Sequence, residues 1–333
     1  MNAVITLSHA HWTNERDVIV GDLATSSRVN GPGRLSCHIG ANDAHAWGFP
    51  ELKGCWVYAT TAYGPWAGFV EDDPAEVETG ILELSCIDMA GMLEIAITSR
   101  TYRQYSSAPG SLINRTLRDS GLDEPLWITE MVIDESGQPQ IVEFRGDNTA
   151  NVVQGIANRS GGLLTIGVDT ERTITLTYQT EPRDRRDSIL LVEGREVISG
   201  SIRPSISNVV NDLTGVANDR DWQRAAAARV TEPKSIRRYG QRRRETRLYT
   251  GHTRASSILP VARNDLAKLA WASGPVSLSI WDEHPIVSEL ALATVVTLWS
   301  STNNKVFDLT ITGLGHDTGQ HVVTIVGTVT EQG

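Results

Sequence analysis

Over the first hundred residues, hydrophobic and polar positions alternate with a period of two. "RLSCHIG" (34–40), "CWVYATT" (55–61), "WAGFVE" (66–71) and "ILELSCID" (81–88) each place apolar or β-branched side chains on every second position. That is the pattern of a strand with one buried face. Between these segments "GFPELKG", "AYGP" and "EDDPAEVETG" carry Gly, Pro and Asp where the chain must reverse. Several short strands at this spacing predict a small barrel or sandwich.

Near residue 101 the period changes. "APGSLINRTLRDSG" sets Leu112, Ile113 and Leu117 at helical spacing with Gly121 just beyond, a helix with a glycine stop. "DNTANVVQGIANRSGG" predicts a second helix, capped by Asn148 or Thr149, with Val152, Val153 and Ile156 on one face and Gly161 past its end. "LWITEMVID" and "QIVEF" read as strands between them, "GLLTIGV" and "RTITLTYQ" as strands after them. Together they form an inserted α+β unit that ends at the charged link "TEPRDRRD". Short strands resume over 188–250, including "SISNVVNDLTGVA" and "WQRAAAARV"; the alanine run of the latter suits a helix as well and is read as strand. A third helix follows in "SSILPVARNDLAKLAWAS", where Ile258, Ala262, Leu266, Leu269 and Ala270 make one stripe and Pro260 is tolerable only in the first turn. The end, "PVSLSIWD", "ATVVTLWS", "FDLTITGL" and "HVVTIVGTV", is again strand and turn, and coarsely echoes the N-terminal strands.

Composition sharpens this picture in three ways. With 40% apolar and only 6% aromatic residues among 333, the chain is a folded protein rich in β-favouring Val, Ile and Thr. Cys37, Cys55 and Cys86 are odd in number and show no two-residue spacing, so three reduced, buried thiols are expected in a protein made in a cytosol. The net charge of −10 and a pI near 5.3 disfavour a protein whose main task is to hold DNA. The charge is also segregated. Residues 1–100 hold five basic and thirteen acidic side chains, whereas 231–254 hold eight basic and two acidic. The opening "MNAVITLSHAHWTNER" lacks the layout of a secretion signal, and the longest apolar run, "LALATVVTLW", is too short to cross a bilayer, so a soluble protein is expected.

Candidate chemistry is sparse. No phosphate-cradling glycine loop, H-E-x-x-H or G-x-S-x-G occurs, and no cofactor or metal is expected. His9 and His11 share a strand face, and His316, His321 and Asp317 surround "DTGQ", which reads as turn chemistry between strands. Glu71, Asp72, Asp73, Glu76 and Glu78 crowd one Pro-containing loop, an arrangement unlike two acids facing across a glycosidase cleft. Asp88 is placed to cap the helical turn at "MAGML". The nine tryptophans follow no regular interval, which points to core and subunit-contact roles.

The order of "LKGCWVYATT", "GPWAGFVED" and "GILELSCIDMAGML", then the α+β unit, then "SIRRYGQRRRE" before a helix and a strand-rich end resembles the tail-hub proteins of long-tailed bacteriophages and related tail-like particles. Ser235, Ile236, Tyr239 and Gly240 match that family's serine-isoleucine-x-x-tyrosine-glycine run. The segment "AHWTNERDVIVGDLATSSRVNGPG" departs from the family and leaves the first strands open. The resemblance implies a mainly β fold with an α+β insertion and two tail-tube-like β-barrel domains. The corresponding divisions are a tube-like barrel at 1–100, the α+β domain at 101–187, a second tube-like domain with arginine connector and helix at 188–274, and a small β domain at 275–333.

It further implies a structural virion protein at the distal end of the tail. Such a homotrimer adapts a sixfold tube to a threefold tip and leaves a channel for genome passage. Its implied partners are the tail tube or distal tail protein, a spike or central fibre, and the tape-measure protein, with DNA only in transit. Alternatives are a carbohydrate- or receptor-binding module and a cell-wall hydrolase. Interchain contacts are expected from Arg237, Arg238, Tyr239, Arg242, Arg243 and Arg244 against carboxylates such as Glu71, Asp72 and Asp73.

Overall fold

The computed structural model describes residues 3–9, 12–42, 52–78, 80–122, 127–137, 139–182, 184–200, 202, 204–217, 226–249, 254–302 and 304–332. The first seven strands are β1 (Ala3–His9), β2 (Thr13–Arg28), β3 (Arg34–Gly40), β4 (Trp56–Thr61), β5 (Gly64–Val70), β6 (Ala75–Glu78) and β7 (Ile81–Asp88). Six of them close a ring in the order β1-β4-β5-β7-β3-β2, because β1 also pairs β2 through Ala3–Leu7 and Arg16–Val20. Closure removes the free edges of those strands. The alternation read from the sequence sets the faces: in β3, Leu35, Cys37 and Ile39 are buried inside while Ser36 and His38 are only partly covered. The departing N-terminal segment is thus long strand β2, which runs past the barrel's own length. All three thiols are free and buried in this first half, and burial, helped by the charge of Glu83, pushes Cys37 up to about 12.

β7 ends at Asp88, whose carboxylate caps the turn Met89–Gly91 leading into α1 (Met92–Ile95). Asp88 Oδ1 accepts the Ala90 N–H at 3.0 Å, and Oδ2 accepts the Gly33 N–H at 2.5 Å. The capping role expected from sequence is present, with a tether to the β2–β3 connection added.

The α+β unit comprises β8 (Arg103–Ser107), α2 (Pro109–Asp119), β9 (Glu130–Ile133), β10 (Gln140–Phe144), α3 (Thr149–Ser160), β11 (Leu163–Val168) and β12 (Ile174–Gln179). Asn148 Oδ1 accepts the Asn151 N–H at 3.1 Å to start α3, and Gly161 ends it at φ 67°. Leu112, Ile113, Leu117, Val153 and Ile156 face Leu176 and Tyr178, and the same core continues onto Trp56, Phe69 and Met89 of the barrel segment. The unit therefore covers one outer side of the first barrel.

The remaining elements are β13 (Asp184–Val192), β14 (Val197–Gly200), β15 (Asp212–Ala217), β16 (Ala227–Thr231), α4 (Pro233–Tyr239), β17 (Arg244–Tyr249), α5 (Ala255–Leu269), β18 (Ser273–Trp281), β19 (Thr294–Ser300), β20 (Lys305–Asp317) and β21 (Val322–Glu331). Hydrogen bonds order six of them β13-β19-β20-β21-β18-β14. The two outermost strands are consecutive in the chain and separated only by residues 193–196, so the sheet must curl until its edges approach. Ile189, Leu191, Leu278, Leu298, Phe307 and Ile325 fill its interior.

Whereas the sequence reading groups 188–200 with 201–274, this pairing joins 184–200 to the C-terminal strands, and the expected division at 274 falls inside β18. Residues 210–266 hold a separate core, in which the three-stranded sheet β16-β15-β17 packs on α5. Periodicity assigns a buried face to a strand but names no partner. The link "TEPRDRRD" is likewise half strand, since Asp184–Arg186 pair with β19. Pro260 lies inside α5 rather than in its first turn, on an exposed position where water can satisfy the carbonyl it leaves unpaired. Of the alanine run, Ala227 and Ala228 are strand as read, while Ala225 lies outside the described residues.

The first ring and this second sheet join through Ala24–Arg28 of β2 and Gly313–Asp317 of β20, making one continuous sheet. The fold is mainly β with an α+β insertion, as expected.

Candidate functional site

The arginine-rich run is a helix, a turn and a strand. Glu232 caps α4 by accepting the Lys234 N–H at 3.1 Å, Pro233 occupies its first turn, and Gly240 ends it at φ 66°. Three of the matched residues of "SIRRYG", Ser235, Tyr239 and Gly240, have a local task. Ser235 is buried and donates to the Ala270 carbonyl at 2.5 Å. The Tyr239 hydroxyl accepts the Ala272 N–H at 2.8 Å and donates to Glu331 at 3.0 Å. The motif thus fastens α4 to the end of α5 and to the second barrel.

Glu331, 4% exposed, also receives Arg238 at 2.5 Å and Lys305 at 3.1 Å. Burial alone would raise its carboxyl, but Arg238, Lys305 and Tyr239 together hold it below the usual range. A second buried acid organises the rest. Asp212, 1% exposed, takes Arg229 Nε at 2.7 Å and Arg244 Nε at 3.1 Å, with Arg242 Nε at 3.7 Å. The Arg229 hydrogen bond is the main reason that its carboxyl stays below the ordinary range. One carboxylate under three guanidiniums leaves a net positive surface whose heads are half exposed or more.

Asp212→Ala should lower the stability of the chain by about 2–3 kcal/mol, less than for a fully buried pair because the guanidinium heads can rehydrate. Urea unfolding at low salt checks this, and an unchanged midpoint would remove Asp212 as the organiser.

Arg243 donates its main-chain N–H to Asn211 Oδ1 at 2.7 Å and its side chain to the Ile206 carbonyl, yet its Nε is buried with no acceptor. Arg237 is exposed on α4. The acidic candidates lie on the first barrel: Glu71 pairs with Arg34 at 2.6 Å, Asp72 with Lys53 at 3.5 Å, and Asp73 is exposed. Among the described residues no ion pair within the chain joins the two sets.

Other candidates resolve as follows. His316 and His321 converge on Asp282, at 3.1 and 3.5 Å, while Asp317 closes the turn by accepting the Gly319 and Gln320 N–H groups. No group of three metal-ligating side chains suited to an ion occurs among the described residues. No helix of the described residues is long and apolar enough to cross a membrane. His11, Trp47 and Trp222 lie outside the described residues. Trp56, Trp66 and Trp127 are buried, Trp12 packs edge-on to Trp56 at 5.0 Å, and Trp281 and Trp299 are exposed on separate strands.

Sequence reasoning missed two elements that matter here. Helix α4 had a readable signal, a Glu-Pro start with a Gly stop, masked by the arginines between. The acceptors Asp212 and Glu331 had none, because Glu331 lies 93 positions from Arg238.

No protein-family model and no curated protein matches the chain. Solved structures do. The 43 kDa tail protein of prophage MuSo2 from Shewanella oneidensis superposes with a TM-score of 0.64 at 14% identity, over 99% of this chain and 98% of that one. A tail protein from Neisseria meningitidis MC58 gives 0.63 at 12% identity, over 100% and 98%. Prophage tail protein gp18 from Listeria monocytogenes EGD-e gives 0.67 at 11% identity, over 99% and 95%. The chain therefore has the fold of phage tail proteins from end to end, as the resemblance in its motifs implies.

Proposed function

We propose that the chain is a structural protein of a phage tail, and that it forms the trimeric hub at the tail's distal end. The observation that carries this reading is a closed six-stranded ring and a second six-stranded sheet with end strands β13 and β14 joined by only four residues, both in one chain and continuous through β2 and β20. Three such chains supply six ring units, the number needed to meet a sixfold tube on one face and a threefold spike or fibre on the other. A passage for genome and tape-measure protein follows from the ring. In this reading the tube-like divisions are the two rings, with the α+β unit and the 205–270 unit as outward additions. The role is mechanical rather than catalytic.

Arg237, Arg242, Arg243 and Arg244 are then candidates for contact with carboxylates of a neighbouring copy, whereas Arg238 and Tyr239 already serve Glu331 within the chain. Opposite charges on separate parts of one chain favour head-to-tail contacts and fix their register. Light scattering after gel filtration tests the reading. A mass of three times 36.3 kDa is expected, falling towards the monomer as salt is raised. A protein that neither trimerises alone nor forms rings on added tail tube would overturn it.

A further inference from the structure

A groove of about 670 Å³ runs beside β17, lined by Arg243, Arg244 and Arg247 with Ser207, Asn208 and Gln241. Three features make it an acceptor site for carboxylates. Glu245, the one acid in its wall, is already taken by Arg247, which also reaches Asp265 at 3.3 Å. Arg243 gives its side chain to the neutral Ile206 carbonyl, and no carboxylate among the described residues pairs with it. Arg242 and Arg244 spend only part of their donors on Asp212, since each guanidinium offers five N–H groups.

The groove also borders an open sheet edge. Among the described residues β17 pairs only β15, on one side, and is the end strand of its sheet. An unpaired edge presents a row of main-chain donors and acceptors to any extended segment.

The same chain carries such a segment. Among the described residues β6 pairs only β7, is exposed at all four residues, and reads Ala-Glu-Val-Glu one proline beyond Glu71, Asp72 and Asp73. A bulge at Val77, 45% exposed, interrupts the pairing of β6 with β7, so Glu76 stands opposite Leu82 and Glu78 opposite Ile81, on the two faces of the strand. Glu76 makes a long bond to the Gly80 N–H at 3.3 Å, and among the described residues no ion pair engages Glu76 or Glu78. On β17, Arg244, Thr246 and Leu248, 49% exposed, share the exposed face of the open strand, with Glu245 and Arg247 on the other. Both edges are short, open and oppositely charged.

We propose that β6 of one copy adds to the free edge of β17 in a second copy, which sets Glu76 and Glu78 against the arginines on its two faces. This rests on the reading of the chain as a self-assembling hub, and names the surfaces that join its copies. Strand addition supplies affinity through the main chain, and the charges set direction and reject like-with-like pairing.

The test places the photo-cross-linker p-benzoylphenylalanine at Val77 in the purified full chain, at a concentration where light scattering shows self-association. Mass spectrometry then identifies the partner peptide. Intermolecular cross-links to residues 240–249 are expected. Glu76→Lys with Glu78→Lys, on a wholly exposed strand, should remove them and raise the dissociation constant of self-association about tenfold or more. A trimer whose cross-links fall elsewhere overturns the strand pairing and leaves the hub reading standing. A chain monomeric at about millimolar concentration overturns the pairing too, and the hub is then judged on ring formation with tail tube. Binding of duplex DNA that Arg243→Ala abolishes, without any such cross-link, assigns the groove to phosphate and overturns the proposal as well.

Discussion

Gly68→Ala should cost the first barrel about 3 kcal/mol or more, a large share of the ~5–15 kcal/mol that holds a domain folded. Gly68 sits opposite Asp88 where β5 crosses to β7. A β-carbon there would lie 2.1 Å from the Ile87 carbonyl oxygen and 2.5 Å from the Trp66 ring. The carbonyl belongs to the ladder and the ring is buried, with its indole N–H on the Ser26 carbonyl at 3.1 Å, so neither gives way cheaply. Thermal unfolding followed by tryptophan fluorescence reads the loss. Gly80→Ala supplies the contrast: its β-carbon meets nothing, and only the strain of φ 80° should appear, about 1 kcal/mol. Equal losses at both positions would show that close strand approach at Gly68 is not what sets the barrel's tolerance.

The second large effect is one of pH. Burial of Asp88, only partly offset by the Gly33 and Ala90 N–H groups, pushes its carboxyl up to about 7. A group raised in the folded state binds more protons there than in the unfolded chain. Its contribution is therefore fully present below the ordinary aspartate value near 4 and is lost as pH rises towards 7. The size is roughly 4 kcal/mol across that window, as an upper figure. Stability should consequently fall from pH 4 to pH 7, opposite to the trend of salt-bridged acids such as Asp212. Asp88→Asn should flatten the slope, and a variant with the wild-type slope would show that Asp88 is ionised throughout.

How much of this was legible beforehand depends on the range of the signal. β3 and β7 show the two-residue burial alternation that their sequences announce, and α3 starts and stops on Asn148 and Gly161 as its caps require. These are local signals. The second ring was harder, because β13 and β14 wait for partners from β18 onward, and nothing in "DRRDSILLV" names Thr294 to Trp299 as the matching strand. The arginine run shows the same limit from the side of charge. Its excess of cations was plain, but the two buried acids that hold Arg238, Arg242 and Arg244 come from β21 and β15, chosen by the fold rather than by proximity in sequence. What points to an outside partner is the remainder after that pairing, the guanidiniums of Arg237 and Arg243, which no carboxylate among the described residues engages.

The closure of the second ring by distant strands has a consequence during synthesis. The first ring is complete once residue 88 has left the ribosome, and it can close while the rest is still being made. β13 and β14 emerge early in the second half, then wait through about seventy residues of the 205–270 unit before β18 arrives to cover them. Over that interval Ile189, Leu191 and Val197 are exposed on unpaired strands, the kind of surface that nascent chains aggregate through or that chaperones hold. A ribosome that stalls near residue 270 therefore releases a chain with one finished barrel and one open, adhesive edge.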